Sequence, residues 1–410
     1  MGIFSKLFEK LRVKIVGGFF GYQSQSSPWD RDAWMHDTFR ATVDAIATHA
    51  AKGKVKAVVM KNGRIVKEIH NDRMAYLLNE RPNEVMSAFE LKYRLVAALE
   101  TKTTAIAYID WDGVRPRAIY PVDYQQFEFR AIKGGGIAVE FVDYEGVERA
   151  LPLEECVILR KFYCDRLASG DGNTPVYKVL SMSQASDEGF VEALHVSNKI
   201  RGIWKSKRAM LDPDDVRKNQ EAFAERMQKA AEKGGIVGID ATEEYTPLNI
   251  TAYTSNAAQM KEINNRIYTY LRTSEKIVQN NYTEQEGMAW YEGKIEPIWE
   301  MMAEAFSNAY FTEREKEVGN RLIVSGGIMM GTSIDTRVKV LDATKEAGEL
   351  TTNERRELLR YPPVADGDVR QVSLNYVKAQ DQGKYQIGSE AKQEPEKEGE
   401  EGEDGNGSKT

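Results

Sequence analysis

Two stretches of helical periodicity flank a short polar run in the second half of the chain. Apolar residues recur at helical spacing over 260–271 and again over 295–306. Between them lies Gln-Asn-Asn-Tyr-Thr-Glu-Gln-Glu, residues 279–286, whose side chains compete for backbone hydrogen bonds and should stop a helix. The pattern predicts a long helix, a polar loop and a second long helix kinked at Pro297. On its own it is typical of an ordinary helical hairpin.

The rest of the chain alternates between helical and strand patterns. Turn signals at Asn62-Gly63, Asp112-Gly113 and Gly134–Gly136 predict three β-hairpins. Further strands are predicted over 155–161, 236–239, 244–250 and 321–325, and helices over 33–51, 87–100, 179–205, 216–231, 335–347 and 354–360. This mixture of hairpins and separate helices predicts an α+β fold.

Composition is that of a globular protein with an acidic tail. The chain has 410 residues, 41% of them hydrophobic and 29% charged, and a net charge of −7. The tail from Ser389 to Thr410 has eight acidic residues and three lysines, so it carries −5 and the other 388 residues carry −2. The nearly neutral body gives no sign of tight nucleic-acid binding. We expect the polar segment 381–410 to be disordered and solvated, with a docking role as the alternative.

The chain start and the cysteines indicate a compartment. Residues 1–20 are amphipathic without the apolar core of a secretory signal, so a surface arm over 1–30 is expected in preference to a membrane anchor. No apolar run is long enough to span a bilayer. The two cysteines, Cys156 and Cys164, form no CxxC pair, which favours a reduced intracellular protein.

Motifs for catalysis are missing from the sequence. The four histidines are unpaired at helical spacing, so no metal site is expected. The glycine-rich run Gly327–Ser333 lacks the lysine of a phosphate loop, and Asp112-Gly113 is explained by turn chemistry. We therefore predict no enzyme activity and no cofactor.

The helix predicted over 179–205 ends in a basic cluster. The cluster comprises Lys199, Arg201, Lys205, Lys207 and Arg208. It is either a solvated helix face or a contact to phosphates or acidic partner groups.

The order of several weak motifs resembles the portal proteins of tailed bacteriophages, in the branch of long-tailed phages and prophages. The resemblance covers about residues 35 to 378. It rests on Leu77-Leu78-Asn79-Glu80-Arg81-Pro82-Asn83, on the strand Ala105–Ile109, on Tyr120-Pro121-Val122, on Val157-Ile158-Leu159-Arg160, and on the run Gly348–Arg360 followed by Gly367-Asp368 and Asn375-Tyr376.

The resemblance implies a ring, usually of twelve subunits, around a DNA channel at one capsid vertex. Its regions would be a wing at 31–180 and 287–330, stem helices at 181–205 and 253–277, a clip at 206–252, a tunnel loop at 278–286 and a crown at 331–380. The DNA-facing residues would be Gln279, Asn280, Asn281, Tyr282, Thr283, Glu284, Gln285 and Glu286. Val96, Ile106, Tyr108 and Phe141 would belong to the wing core.

The resemblance also implies partners: double-stranded DNA, terminase, the major capsid and scaffold proteins, and a head–tail connector, but no membrane. The protein would reside in the virion after assembly in the host cytoplasm. The absence of Arg and Lys from 277–286 agrees with a channel through which DNA slides. Two alternatives stay open: a monomeric phage adaptor that binds a partner through the hairpin, and a DNA-processing enzyme.

Overall fold

The chain divides into two compact units, Met1–Gly327 and Ile328–Thr410. The structure is a computed structural model, and it describes residues 15–19, 24–25, 33–132, 135–164, 166, 168–199, 202–207, 212–232, 237–239, 241–247, 257–326, 334–345, 348–359 and 361–370.

The larger unit mixes helices with short strands. Its described helices are α1 (Asp37–Ala51), α2 (Arg73–Asn79), α3 (Ala88–Lys102), α4 (Thr174–Lys199), α5 (Pro213–Glu232), α6 (Ala257–Tyr270), α7 (Glu275–Val278), α8 (Glu284–Trp290), α9 (Glu296–Tyr310) and α10 (Glu313–Val318). Its described strands are β1 (Ile15–Phe19), β2 (Ser24–Gln25), β3 (Lys54–Lys61), β4 (Arg64–Ile69), β5 (Thr104–Asp112), β6 (Arg115–Pro121), β7 (Gln126–Ile132), β8 (Ile137–Val142), β9 (Glu148–Pro152), β10 (Cys156–Arg160), β11 (Gly202–Ser206), β12 (Glu243–Pro247) and β13 (Asn320–Ser325). A π turn, Tyr291–Ile295, joins α8 to α9.

The described strands form four antiparallel sheets, which confirms the α+β class. Their orders are β1-β7-β8-β9 with β2 also on β7, then β10-β5-β6, β13-β3-β4 and β11-β12. Helix α9 is tied to two neighbours. Ser307 Oγ accepts a hydrogen bond of 2.8 Å from the N–H of Leu322 in β13, and Trp299 Nε1 donates one of 2.8 Å to the carbonyl of Ala50 in α1. Helix α9 is thereby fixed both to the sheet β13-β3-β4 and to α1.

Local turn chemistry explains the hairpins. Asn62 and Gly63 both have left-handed backbone angles, φ 52° and 74°, as a two-residue type I′ turn requires. In the second hairpin Asp112 pairs with Arg115, so the turn is Gly113-Val114. It lies one residue later than predicted, after a register shift between Asp110 and Trp111.

The core between two of the sheets contains the residues expected for it. Ile106, Tyr108 and Phe141 are at most 3% exposed and belong to one cluster, and Val96 is fully buried. The cluster draws on β5 and β6 from one sheet and on β7, β8 and β9 from the other, so these sheets pack face to face. Burying each such side chain contributes about 1.5–3 kcal/mol to stability.

Several predicted boundaries are wrong. The helix expected over 181–205 ends at Lys199, and Gly202–Ser206 is a strand because it pairs with Glu243–Pro247 and sets Trp204 opposite Tyr245. The strand predicted at 236–239 is wrong for 237–239, which have no regular structure; Ile236 lies outside the described residues. Strands β1 and β9 were not predicted.

The smaller unit is built around two helices, α11 (Ile334–Lys345) and α12 (Thr352–Leu358). Thr351 caps α12 in a capping box with Glu354, so the helix begins at Thr352 and not at residue 354 as predicted. The side chain of Asn353 then joins the helix to the following loop. It accepts from the N–H of Val364 at 2.8 Å and donates to Asp368 at 2.7 Å. Residues 346, 347, 360 and 371–410, including the predicted disordered tail, lie outside the described residues.

Candidate functional site

The polar run lies between the two helical segments of the predicted hairpin, but the loop is shorter than expected and α6 packs against α4 instead of against α9. Gln279–Thr283 connects α7 to α8, whereas Val278 belongs to α7 and Glu284, Gln285 and Glu286 form the first turn of α8. The helix predicted to reach residue 277 ends at Tyr270.

Arg272 ends the first helix in a left-handed conformation, with φ 53°. The N–H of Thr273 donates to the carbonyl of Tyr268 at 2.9 Å, and the N–H of Arg272 donates to that of Thr269 at 3.0 Å. These two bonds are a Schellman motif, which closes a helix. Glycine usually occupies the left-handed position, since a side chain there costs about 1–2 kcal/mol. An arginine therefore gives no sequence signal for the end of this helix.

The same motif recurs at the start of the loop. Asn280 has φ 56°, the N–H of Asn281 donates to the carbonyl of Lys276 at 2.8 Å, and the N–H of Asn280 donates to that of Ile277 at 3.1 Å. Asparagine is the common non-glycine residue at this position. Ile277 is buried beneath the turn. The loop thus begins from a backbone whose hydrogen bonds are satisfied locally.

A capping box fixes the other end of the loop. The hydroxyl of Thr283 accepts from the N–H of Glu286 at 3.3 Å, and the carboxylate of Glu286 accepts from the N–H of Thr283 at 2.9 Å. Lys276 Nζ lies 2.5 Å from the same carboxylate. The hydrogen bond from Lys276, followed by that from Thr283, lowers the pKa of Glu286 to about 2. Glu286 is therefore ionised at neutral pH and offsets the charge of Lys276.

The surface of the loop is made of amide side chains. Gln279, Asn280 and Asn281 are exposed. The Tyr282 ring lies against Gly287, where an added Cβ would be 2.7 Å from a ring carbon. The lysine at 276 was not included in the predicted site, because it precedes the polar run and is brought beside it only by the turn.

Aromatic side chains hold the base of the hairpin. Trp290 Nε1 donates to the carbonyl of Arg272 at 3.2 Å, which joins the two arms. The hydroxyl of Tyr291 lies 2.6 Å from Nδ1 of the buried His49. Burial, with a smaller effect of Lys52, lowers the pKa of His49 to about 4. The imidazole is therefore neutral at physiological pH and serves as a hydrogen-bonding partner of the hairpin.

Pro297 lies at the start of α9, directly after the π turn. Proline has no N–H with which to continue a helical ladder. The prediction of a kink inside the second long helix at Pro297 is wrong: Pro297 is the second residue of α9, and the irregularity is the π turn Tyr291–Ile295 that precedes this helix.

The basic cluster is not one face of a helix end. Lys199 is the last residue of α4, whereas Lys205 lies in β11 opposite Glu244 and Lys207 follows that strand. Lys205 and Lys207 are exposed. Arg201 and Arg208 lie outside the described residues. The structure therefore separates Lys199 from Lys205 and Lys207 by a change of secondary structure.

Among the described residues, no group of three or more His, Cys, Asp or Glu side chains could hold a metal ion. None of the helices described is long and apolar enough to cross a bilayer.

Comparisons with known proteins agree on one family and one fold. A model of the family "Phage portal protein" matches residues 37–359. No curated protein matches the sequence. Among solved structures, a chain from the neck of an empty gene transfer agent (GTA) particle, computed with C6 symmetry, is 12% identical, with 84% of this chain and 96% of that chain covered and a TM-score of 0.61.

A chain from the neck of the native GTA particle, computed with C12 symmetry, is 13% identical over 84% of this chain and 96% of that one, with a TM-score of 0.60. An HK97 family phage portal protein from Corynebacterium diphtheriae is 10% identical over 79% of this chain and 99% of that one, with a TM-score of 0.47. At this identity, the two GTA neck chains show a shared fold.

Proposed function

The chain belongs to the phage portal protein family and is a head–tail connector subunit, and we propose that copies of it form a ring through which double-stranded DNA is packaged and ejected. The ring lies at one vertex of the capsid, and the protein is part of the virion after assembly in the host cytoplasm. Its role is structural, without a chemical reaction of its own.

The chemistry of the loop 279–283 supports its placement in the channel. Each lysine or arginine that contacts a phosphate raises DNA affinity and makes it salt-dependent. A moving duplex needs contacts that form and break easily. The loop offers exposed amides, and the adjacent Lys276 is paired with Glu286. The loop can therefore touch DNA by hydrogen bonds without holding it.

We place the number of subunits at twelve. The neck of the native GTA particle was computed with C12 symmetry, and one of its chains shares the fold described above. A closed ring gives every subunit the same two neighbours, so each loop would reach the channel at the same height.

The segment 206–252 is proposed as the clip that meets terminase during packaging and the head–tail connector protein afterwards. Its described part forms a small module with β11, in which Phe223 of α5 lies between Trp204 and Tyr245, with ring centroids 6.2 and 5.5 Å apart. Arg226 binds Glu243 at 2.8 Å and fixes the helix to the two strands. The first turns of α5 are exposed and suit a polar, exchangeable contact. The wing is proposed to meet the major capsid and scaffold proteins.

The mass of the purified protein tests the ring. Light scattering should give a multiple of 46.4 kDa near twelve, and negative-stain images should show particles with a central hole. A monomer that stays monomeric in the presence of scaffold and capsid protein would contradict the ring and favour an adaptor.

A further inference from the structure

One arm of the hairpin is held by a buried carboxylate far from it in sequence. Glu100, near the end of α3, is 1% exposed. Its Oε1 accepts from Lys294 Nζ at 2.6 Å, and its Oε2 accepts from Lys161 Nζ at 2.5 Å. Lys294 belongs to the π turn that follows α8, so this ion pair fixes the arm that leaves the loop.

The other arm is held at the same turn of α3. Asn173, 1% exposed, donates from Nδ2 to the carbonyls of Glu100 and Thr101 at 2.8 and 2.7 Å. Its Oδ1 accepts from the hydroxyl of Tyr270, the last residue of α6, at 2.8 Å. Asn173 directly precedes α4. One helix end thus holds both arms of the hairpin and the start of α4.

The charges of this cluster depend on one another. Burial alone would raise the pKa of Glu100, but the ammonium groups of Lys161 and Lys294 outweigh that effect and lower the pKa. Lys294 is itself only 5% exposed. Removing the carboxylate would leave two buried cations without compensation, which is strongly destabilising. Removing Lys294 instead leaves a balanced pair of Glu100 and Lys161.

The backbone between the loop and α9 has little helical preference of its own. Gly287 and Gly293 each lower helix propensity, and Pro297 removes a backbone donor. An added Cβ at Gly293 would meet no atom within 4 Å, so packing does not require glycine there. The position of this segment therefore depends on contacts made by its side chains.

We propose that Glu100 and Lys294 are positioning residues for the loop 279–283. Their buried ion pair holds the π turn in place, and through Asn173 the same anchor holds α6. The loop is then held at a fixed position along the axis of the proposed channel, although its own residues make few contacts. The inference rests on the proposed function only in taking the loop to face DNA.

Hydrogen exchange of the full-length protein without DNA tests this proposal, with Lys294→Met as the main variant. Methionine fills similar space and leaves Glu100 balanced by Lys161. We expect exchange in 284–295 to become about tenfold faster or more, with the sheets unchanged. Lys92→Met is the matched control. Lys92 is also a buried lysine, 3% exposed, but its bond of 2.5 Å to the carbonyl of Gly53 joins α3 to the turn after α1 and not to the π turn.

A second variant tests the other arm with a smaller change. Tyr270→Phe removes only the hydroxyl bound to Asn173, and should speed exchange at the end of α6 while leaving 284–295 protected. Unchanged exchange in 284–295 of Lys294→Met would overturn the proposal, as would equal acceleration in Lys92→Met. Because no DNA is present, this result stands apart from whether rings form or DNA passes.

Discussion

Under the proposed function, Gln279 and Asn281 are the residues at which added charge would change a contact with DNA most directly. Both are exposed, and neither has the left-handed backbone of Asn280, where lysine would add strain. We expect Gln279→Lys with Asn281→Lys to slow DNA packaging while rings still assemble, because each new cation can bind a phosphate. The measurement is the packaging rate at several salt concentrations, and higher salt should restore it.

The neutral exchange Gln279→Asn with Asn281→Gln is the control for that experiment. It alters the same positions without charge and should package at the normal rate. If the lysine variant packaged normally at low salt, the loop would not face DNA.

His49 makes stability depend on pH below neutrality. Its pKa in the folded protein is about 4, below the ordinary 6.5, so the unfolded chain takes up the proton first as pH falls. Stability is therefore lost as pH decreases from 6.5 towards 4, by about 1–2 kcal/mol between pH 7 and 5. Urea unfolding at these two pH values measures the loss. His49→Gln, which can still bind Tyr291, should reduce it; an equal loss in this variant would assign the effect to other groups.

At the scale of elements, a glycine lies between the end of α10 and the start of β13. Gly319 has φ 104°, and a Cβ there would lie 2.1 Å from the carbonyl oxygen of Met60 in β3. Gly63 also has a left-handed backbone, φ 74°, but open space around it. We expect Gly63→Ala to cost about 1 kcal/mol and Gly319→Ala at least about 3 kcal/mol, since only the second adds a clash to the strain. Equal shifts of the urea midpoint in the two variants would mean that backbone strain alone determines the cost.

The elements that the sequence predicted are those determined by neighbouring residues. Asn62-Gly63 has a sequence that by itself favours a type I′ turn, and the structure confirms the predicted hairpin. Strand β11 forms because it pairs with β12, about forty residues later. Its own residues do not show this pairing, and their pattern predicts the end of a helix. The turn at Arg272 uses a residue that does not signal one.

The buried ion pairs of Glu100 could not be predicted from the sequence for a related reason. Glu100 is separated from Lys161 by 61 residues and from Lys294 by 194. No spacing rule connects residues so far apart, and each taken singly is an ordinary charged residue. The polar composition of the loop, by contrast, was visible from the sequence, and its role in DNA contact stays a prediction.

For the whole molecule, the distribution of charge matters more than its sum. The last 22 residues carry −5 of the net −7, so the remaining body is almost neutral. In a ring, any charge on one loop recurs in every copy at the same height. A small imbalance per subunit would thus become a charged belt around the channel. The pairing of Lys276 with Glu286 keeps that imbalance small.

The π turn at Tyr291–Ile295 also determines how α8 and the loop before it are rotated about the helix axis relative to α9. An α-helix turns about 100° and rises about 1.5 Å with each residue. A π turn holds one residue more than an α-helical turn. The side chains of α8 are therefore rotated about the helix axis, by the angle of one residue, from where an unbroken helix would place them. An insertion or deletion of one residue within 291–295 would therefore rotate α8 and the loop before it relative to α9, although no residue of the loop itself had changed.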